Sequence, residues 1–136
     1  MLRHVASVAE IVEDLPAAIR FYREVLGLRV EPVPGAGYAK VELPGILHFG
    51  IWDRAHAARA VLGPDAARER IPLGFSIGFE VDGVDADAGA LSGRGLSLLQ
   101  GPHEEPWGQR TARLWMPSGM LAEIAETPGA RELLPR

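Results

Sequence analysis

The stretch VEDLPAAIRFYREVLGL, residues 12–28, contains the signals that determine the fold. Asp14 suits a helix N-cap, and Pro16 is tolerated in the first turn because the N–H it lacks would have no partner there. Apolar residues then recur at three- and four-residue steps, which predicts one buried helix face made of Leu15, Ala18, Ile19, Tyr22, Val25 and Leu26. Gly27 supplies the left-handed residue that commonly follows the end of a helix. We therefore predict one amphipathic helix that ends at Gly27.

Strand patterns flank this helix. Residues 4–12 precede it with alternating small, apolar and polar residues, as in a half-buried strand. Three further strands are predicted after the helix, at residues 28–33, 38–43 and 46–52, and a Pro-Gly turn separates the last two. The predicted order is strand, helix, strand, strand, strand.

The same order then occurs a second time. Ser76 and Val81 have the same spacing as Ser7 and Val12, and each valine is followed by an acidic residue and a helix start. The elements predicted for the second copy are a strand at 75–81, a helix at 84–95, and strands at 96–100, 109–116 and 120–126. We therefore predict an α+β fold of two βαβββ modules in a single domain, residues 1–136. Module 1 spans residues 1–52, the linker 53–73 and module 2 residues 74–128.

The overall composition excludes several functional classes. The chain has 136 residues, a formal net charge of −4 and no run of basic residues, so nucleic acid is not an expected partner. It has no cysteine, which excludes disulfides, thiolate catalysis and cysteine-based zinc sites. No apolar segment is long enough to span a bilayer, and the N-terminal residues do not resemble a signal peptide. We expect a cytoplasmic protein that does not bind membranes.

Side-chain alternation predicts which face of each strand meets the helices. In residues 120–126, Ala122 and Ile124 suit the core, which places Glu123 on the opposite face. The same rule predicts that this face also carries Ser7, His48, Trp52 and Ser76. A sheet face that is both semi-polar and rich in small residues is typical of the lining of a concave binding site.

These features together resemble the vicinal oxygen chelate superfamily, which contains glyoxalases, bleomycin-resistance proteins, fosfomycin-resistance enzymes and extradiol dioxygenases. The resemblance rests on the duplicated strand-helix-three-strand pattern, on Phe21-Tyr22 followed by Leu26-Gly27-Leu28, and on Pro106-Trp107-Gly108. It implies that the sheets of the two modules curl into a cup, usually within a homodimer. The fold hosts many unrelated chemistries, so it does not by itself define an activity.

In the metal-using members, His or Glu residues from the strands bind a divalent ion in this cup. Matched position by position, the resemblance assigns these ligands to Ser7, Ser76, a residue at or near His48, and Glu123. Two of the four positions are thus serine, whose neutral hydroxyl is a poor ligand for zinc, nickel or iron. We expect no bound metal; if a divalent metal is bound, His48 and Glu123 are its ligands.

The function predicted best is therefore that of a small-molecule-binding protein of the glyoxalase and bleomycin-resistance type, without the family metal and with an aromatic or cationic ligand. The predicted ligand-binding residues are Ser7, His48, Trp52, Ser76, Trp107, Arg113 and Glu123. Each also has a structural interpretation, since the tryptophans suit a core and the charged residues suit a solvated surface or an ion pair. Two alternatives stay open: a metal-dependent lyase, isomerase or dioxygenase, and a non-catalytic dimeric subunit. The sequence identifies no catalytic residue and does not decide whether the protein is an enzyme.

Overall fold

The computed structural model describes residues 1–129 and has the predicted α+β architecture. The strands are β1 (Leu2–Val12), β2 (Arg29–Val33), β3 (Tyr38–Glu42), β4 (His48–Asp53), β5 (Gly74–Val81), β6 (Gln100–Glu104), β7 (Arg110–Trp115) and β8 (Leu121–Glu126). The helices are α1 (Leu15–Arg20), which continues into a π-helical turn at Phe21–Val25, then α2 (Arg54–Leu62) and α3 (Val84–Gly93), with a 3₁₀ turn at Arg68–Arg70. The orders β1-α1-β2-β3-β4 and β5-α3-β6-β7-β8 confirm the two βαβββ modules.

The chain forms two compact units. The first unit comprises residues 7–76, and the second comprises residues 1–6 together with residues 77–129 of the described chain. In the first unit the strand order is β2-β3-β4-β1, where β1 and β4 are parallel and the other pairs antiparallel. In the second unit the order β5-β8-β7-β6 repeats this arrangement, with β5 and β8 as the parallel pair.

Helix α1 begins as its sequence predicts. The Asp14 side chain accepts a hydrogen bond from the Ala17 backbone N–H over 3.0 Å, with proline in the first turn. After the helical segment, Gly27 has a φ of +68°, the left-handed conformation that glycine adopts without a Cβ clash. Ile19 and Tyr22 are buried against the strands of the first unit, so α1 covers one face of that sheet.

The prediction that Val25 and Leu26 belong to the buried helix face is wrong. Val25 is 67% exposed and Leu26 50% exposed. The cause is the π-helical turn, in which the Leu26 N–H bonds to the Phe21 carbonyl over 3.2 Å, five residues back instead of four. The wider turn rotates the following residues away from the core, and Leu28 packs against it in their place.

Helix α3 packs on the sheet of the second unit through Val84 and Ala88, against Val81, Ala112 and Ile124. The strand predicted at residues 96–100 is wrong, because β6 begins only at Gln100. The residues before it close the helix instead. Leu96 N–H bonds to the Leu91 carbonyl over 3.1 Å and Gly95 N–H to the Ser92 carbonyl over 3.0 Å, which together form a Schellman motif.

The segment between the modules contains an ordered helix. Asp53 caps α2 by accepting a hydrogen bond from His56 N–H over 3.0 Å, and the small residues Ala57 and Ala58 are fully buried. Arg54, at its first turn, donates to the Ile71 carbonyl over 2.6 Å and also pairs with Glu13. Within residues 1–129, no helix is long and apolar enough to cross a membrane.

Candidate functional site

The candidate site lies on the face of the second unit that points away from α3. In the antiparallel pairing of β7 with β8, Arg113 stands opposite Glu123, and Glu123 in turn stands opposite Gly78 of β5. Ile124, the next residue along β8, packs into the core beneath α3. Because side chains alternate along a strand, Glu123 and Arg113 both project from the face away from the helix.

Arg113 is the centre of a buried polar network on this face. Its side chain is only 3% exposed, and its Nη1 donates to Gln100 Oε1 and to Glu105 Oε1, each over 2.7 Å. Its Nη2 lies 3.4 Å from Glu123 Oε2, within ion-pair distance. One guanidinium therefore connects two carboxylates and an amide, as its fork of donors allows.

Glu105, just beyond the end of β6, is the most heavily bonded carboxylate of the network. Besides Arg113, its Oε1 accepts a hydrogen bond from Thr111 Oγ1 over 2.7 Å and lies 2.9 Å from His103 Nε2. The other imidazole nitrogen, Nδ1, lies 3.0 Å from the Gly101 carbonyl oxygen. Both ring nitrogens thus lie within hydrogen-bond distance of an oxygen.

A second chain of hydrogen bonds leads from the surface to a buried carboxylate, Glu80. Thr127 donates to Glu80 twice, from its backbone N–H over 2.6 Å and from its hydroxyl over 2.8 Å. Gln109 Nε2 donates to the Thr127 hydroxyl over 2.7 Å, and Trp107 Nε1 donates to Gln109 Oε1 over 2.7 Å. The exposed Trp107 ring is thereby held at its polar edge, while most of the ring remains open to solvent.

The surrounding protein shifts the acidity of these groups. Burial raises the pKa of Glu123, the positive charge of Arg113 opposes that rise, and the neighbouring carboxylates Glu105 and Glu80 add to it. Burial likewise raises the pKa of Glu80, against the opposing effect of the two hydrogen bonds from Thr127. The Glu123 side chain is still 21% exposed, against 7% for Glu105, so Glu123 is the more exposed of the two carboxylates that face Arg113.

The first unit places three of the predicted residues on one face. Ser7 of β1 stands opposite His48 of β4, and Trp52, four residues further along β4, stands opposite Tyr38. Partial loss of hydration lowers the pKa of His48, and the nearby Lys40 charge adds to that effect. Since Phe49 and Ile51 pack with α1, this is the face away from the helix.

The predicted residues thus fall into small groups. Arg113 and Glu123 form an ion pair, and Ser7 and His48 are cross-strand neighbours. The Ser76 hydroxyl donates to the Ala9 backbone carbonyl over 3.2 Å, so its hydrogen serves the fold of the first unit. Trp107 lies in the loop between β6 and β7, where it bonds to Gln109. That these residues contact a ligand stays a prediction.

Sequence reasoning assigned no role to four residues of this site, namely the network members Gln100, His103 and Glu105 and, in the second chain of hydrogen bonds, Glu80. Three of them lie at or just after β6, a strand whose register shifts between Gln100 and His103, so alternation does not predict their direction. One signal was available. An arginine on a half-buried sheet face requires a carboxylate partner.

The residues present do not fit the divalent metal of the metal-using relatives. Within the described range 1–129, no group of three His, Cys, Asp or Glu side chains is placed to hold an ion. Two positions that the resemblance assigns to ligands are serines, and Glu123 already faces the Arg113 guanidinium. Unit charges 4 Å apart repel by about 4 kcal/mol at an effective dielectric constant of about 20, so a divalent ion beside Arg113 meets roughly twice that.

Comparison with known proteins agrees with this architecture. The chain belongs to the Glyoxalase/Bleomycin resistance protein/Dioxygenase superfamily, whose family profile matches residues 3–124. A search of curated proteins found no match. The superfamily predicted from the sequence is therefore confirmed.

Solved structures with the same fold include a variant of Streptomyces coelicolor methylmalonyl-CoA epimerase in complex with 2-nitronate-propionyl-CoA. It shares 21% identity over 93% of this chain and 96% of its own, with a TM-score of 0.63. A hypothetical protein from Bacillus halodurans C-125 shares 17% identity over 90% of this chain and 93% of its own, with a TM-score of 0.63. A superfamily member from Vibrio splendidus 12B01 shares 16% identity over 93% of this chain and 100% of its own, with a TM-score of 0.59. At these identities the similarity establishes the fold alone.

Proposed function

We propose that this protein binds a small organic molecule without a divalent metal and that Glu123 is the central ligand contact. The observation that supports this proposal most directly is that the two carboxylates paired with Arg113, Glu105 and Glu123, differ in hydrogen bonding and in exposure. Glu105 is buried and accepts from three side chains, whereas Glu123 keeps part of its surface exposed and, among residues 1–129, has one ion-pair contact, at 3.4 Å. A carboxylate in that position has oxygen lone pairs to offer a ligand.

The chemistry of this face favours a ligand that donates hydrogen bonds or carries positive charge. Glu80, Glu105 and Glu123 are three carboxylates, and Arg113 and His103 are the basic groups that accompany them. Trp107 presents an exposed aromatic ring from the same unit, and aromatic rings stack on flat apolar or cationic groups. An aromatic amine has both a flat ring that can stack on Trp107 and a group that donates hydrogen bonds or carries positive charge.

The proposal is tested by thermal unfolding of the full chain against a panel of aromatic amines, aminoglycosides and metabolites in buffer containing a chelator. The panel includes methylmalonyl-CoA, the compound bound in a solved epimerase complex of the same fold. A binding ligand present at about 100 times its Kd adds about 2.7 kcal/mol to the free energy of unfolding and raises Tm by several degrees. If no compound raises Tm in the chelated buffer, the proposal fails.

Glu123→Gln then identifies the contact. Loss of a hydrogen bond to a charged group costs about 1.5–3 kcal/mol, so the Kd is expected to rise about 10- to 100-fold. Glu42→Gln is the matched control, because Glu42 is an exposed strand glutamate whose contact with Arg29 spans 3.9 Å. Equal affinities of Glu123→Gln and the wild type would exclude Glu123 as the contact.

The alternative, a metal-dependent lyase, isomerase or dioxygenase, predicts that the purified protein carries a divalent ion. Its expected ligands, His48 and Glu123, belong to different compact units. Elemental analysis of protein prepared without chelator distinguishes the two functions. One equivalent of a first-row metal that is lost in Glu123→Gln would establish the alternative.

We also propose a cytoplasmic homodimer, as in the family that the sequence resembles. Exposed apolar residues support self-association, since large apolar side chains on a surface often mark an interface. Light scattering at micromolar concentration is the test, and a mass near 14.7 kDa would contradict the dimer.

A further inference from the structure

The buried guanidinium of Arg113 is the most unusual charged group in the second unit. Arginine stays protonated in proteins, so this side chain brings a permanent positive charge into a nearly closed environment. Its exposed fraction is 3%, and carboxylates face it from both β8 and the end of β6. The guanidinium is thus a fixed cation between two acidic groups.

Arg113 contacts Glu105 more closely than it contacts Glu123. On one side, Nη1 makes two bonds of 2.7 Å, to Gln100 and Glu105. Glu105 Oε1 also accepts from Thr111 and lies within hydrogen-bond distance of His103, so this side of the network is held by several short contacts. On the other side, Nη2 reaches Glu123 at 3.4 Å. The network therefore fixes the arginine and leaves Glu123 as its adjustable partner.

Glu123 is also the position where the superfamily resemblance assigns the last metal ligand. In this chain its positive partner is Arg113, and the metal that the fold family implies does not fit the residues present. A second cation at the same carboxylate is opposed by the guanidinium charge.

We propose that Arg113 is a tethered cation that takes the place of a divalent ion as the positive partner of Glu123. It compensates the charges of Glu105 and Glu123 and orients Glu123 toward a ligand. This inference rests on the proposed function only in its choice of Glu123 as the ligand contact. Its direct consequence is that removal of the guanidinium takes a positive charge away from Glu105 and Glu123, so that Mn²⁺, which carboxylates bind, is no longer repelled there.

The test is titration of the full chain with Mn²⁺ alone, followed by calorimetry and by the paramagnetic signal of the ion. The wild type is expected to show no saturable binding. Arg113→Met is expected to bind Mn²⁺ at least about tenfold more tightly than the wild type, since ligand charge sets metal affinity. Arg113→Met combined with Glu123→Gln should lose that gain, and Arg113→Lys, which retains the positive charge, should behave as the wild type.

Two results obtained with folded protein would overturn the proposal. One is saturable Mn²⁺ binding by the wild type that disappears in Glu123→Gln. The other is an Arg113→Met variant that folds but binds Mn²⁺ no better than the wild type. If Arg113→Met is unfolded without metal, Mn²⁺ is expected to restore its folding and not that of the double variant; no such rescue would also overturn it. A folded Arg113→Met variant that gains no Mn²⁺ affinity leaves the proposed function intact, because the ligand panel is measured in chelated buffer, whereas wild-type Mn²⁺ binding that depends on Glu123 would favour the metal-dependent alternative.

Discussion

Arg113 donates two of its bonds on the side of Glu105, to that carboxylate and to Gln100, and a single Nη2 contact of 3.4 Å joins it to Glu123. The two carboxylates therefore differ: Glu105 is held by several short contacts, whereas Glu123 is more exposed and more loosely paired. The difference has measurable consequences.

Glu105→Ala should be far more destabilising than Glu123→Ala. Removing Glu105 takes a carboxylate away from the buried guanidinium and deletes the acceptor of the Thr111 hydroxyl, and breaking a buried pair typically costs about 3–5 kcal/mol. Glu123→Ala should cost about 1–2 kcal/mol, because Arg113 retains Glu105 and Gln100. Urea denaturation measures both, with the exposed Glu42→Ala as a control near zero. Equal costs for the two substitutions would contradict this division.

Glu80 should make the protein less stable as pH rises. Burial places the pKa of its folded form above the ordinary value of 4.5, so the folded state holds the proton more tightly than the unfolded state. Its contribution to the free energy of unfolding is then full below pH 4.5 and falls as the pH rises through the folded pKa. Glu80→Gln should remove this decline in denaturation curves recorded from about pH 4 upward.

Thr127→Val tests the same pH dependence of stability through the hydrogen-bond partner of Glu80. It deletes the hydroxyl that donates to Glu80 Oε2 and so removes part of what opposes the rise in pKa. The decline in stability should then extend to higher pH than in the wild type. A decline that is unchanged in both Glu80→Gln and Thr127→Val would show that another group causes it.

His48 should titrate below pH 6.5, the ordinary value for histidine. Partial loss of hydration is the larger cause and the Lys40 charge the smaller one, so Lys40→Gln should raise the pKa without restoring 6.5. Lys40→Arg, which keeps the charge, should leave it low. The imidazole proton resonances followed by NMR report this directly, and a wild-type value at or above 6.5 would contradict it.

Gly50→Ala should disturb the face of the first unit that carries His48 and Trp52. A Cβ at position 50 would lie 1.9 Å from Tyr38 Oη, so the tyrosine must move. Overpacking of this kind costs about 1–3 kcal/mol. Gly101→Ala is the matched strand control, since a Cβ there meets no atom within 4 Å. Equal unfolding midpoints for the two variants would show that Tyr38 does not rest on Gly50.

The amino-acid sequence by itself determined the two βαβββ modules and the superfamily, because both depend on local patterns. The N-cap at Asp14 and the left-handed glycine at position 27 each act over a few neighbouring residues, and the structure contains both, together with the predicted strand β8. Alternation also sufficed to place Glu123 on the face away from the helix. No contact between distant residues is needed for any of these conclusions.

Only the tertiary structure decided how the charges on that face are used. Glu105 follows a strand with a shifted register, and its role depends on meeting Arg113, Thr111 and His103 in space. The exposure of Val25 likewise depends on a π-helical turn that helical periodicity does not show. Hydrogen bonds and ion pairs join residues from different strands, so the identity of Glu123's partner became visible only once the strands were paired.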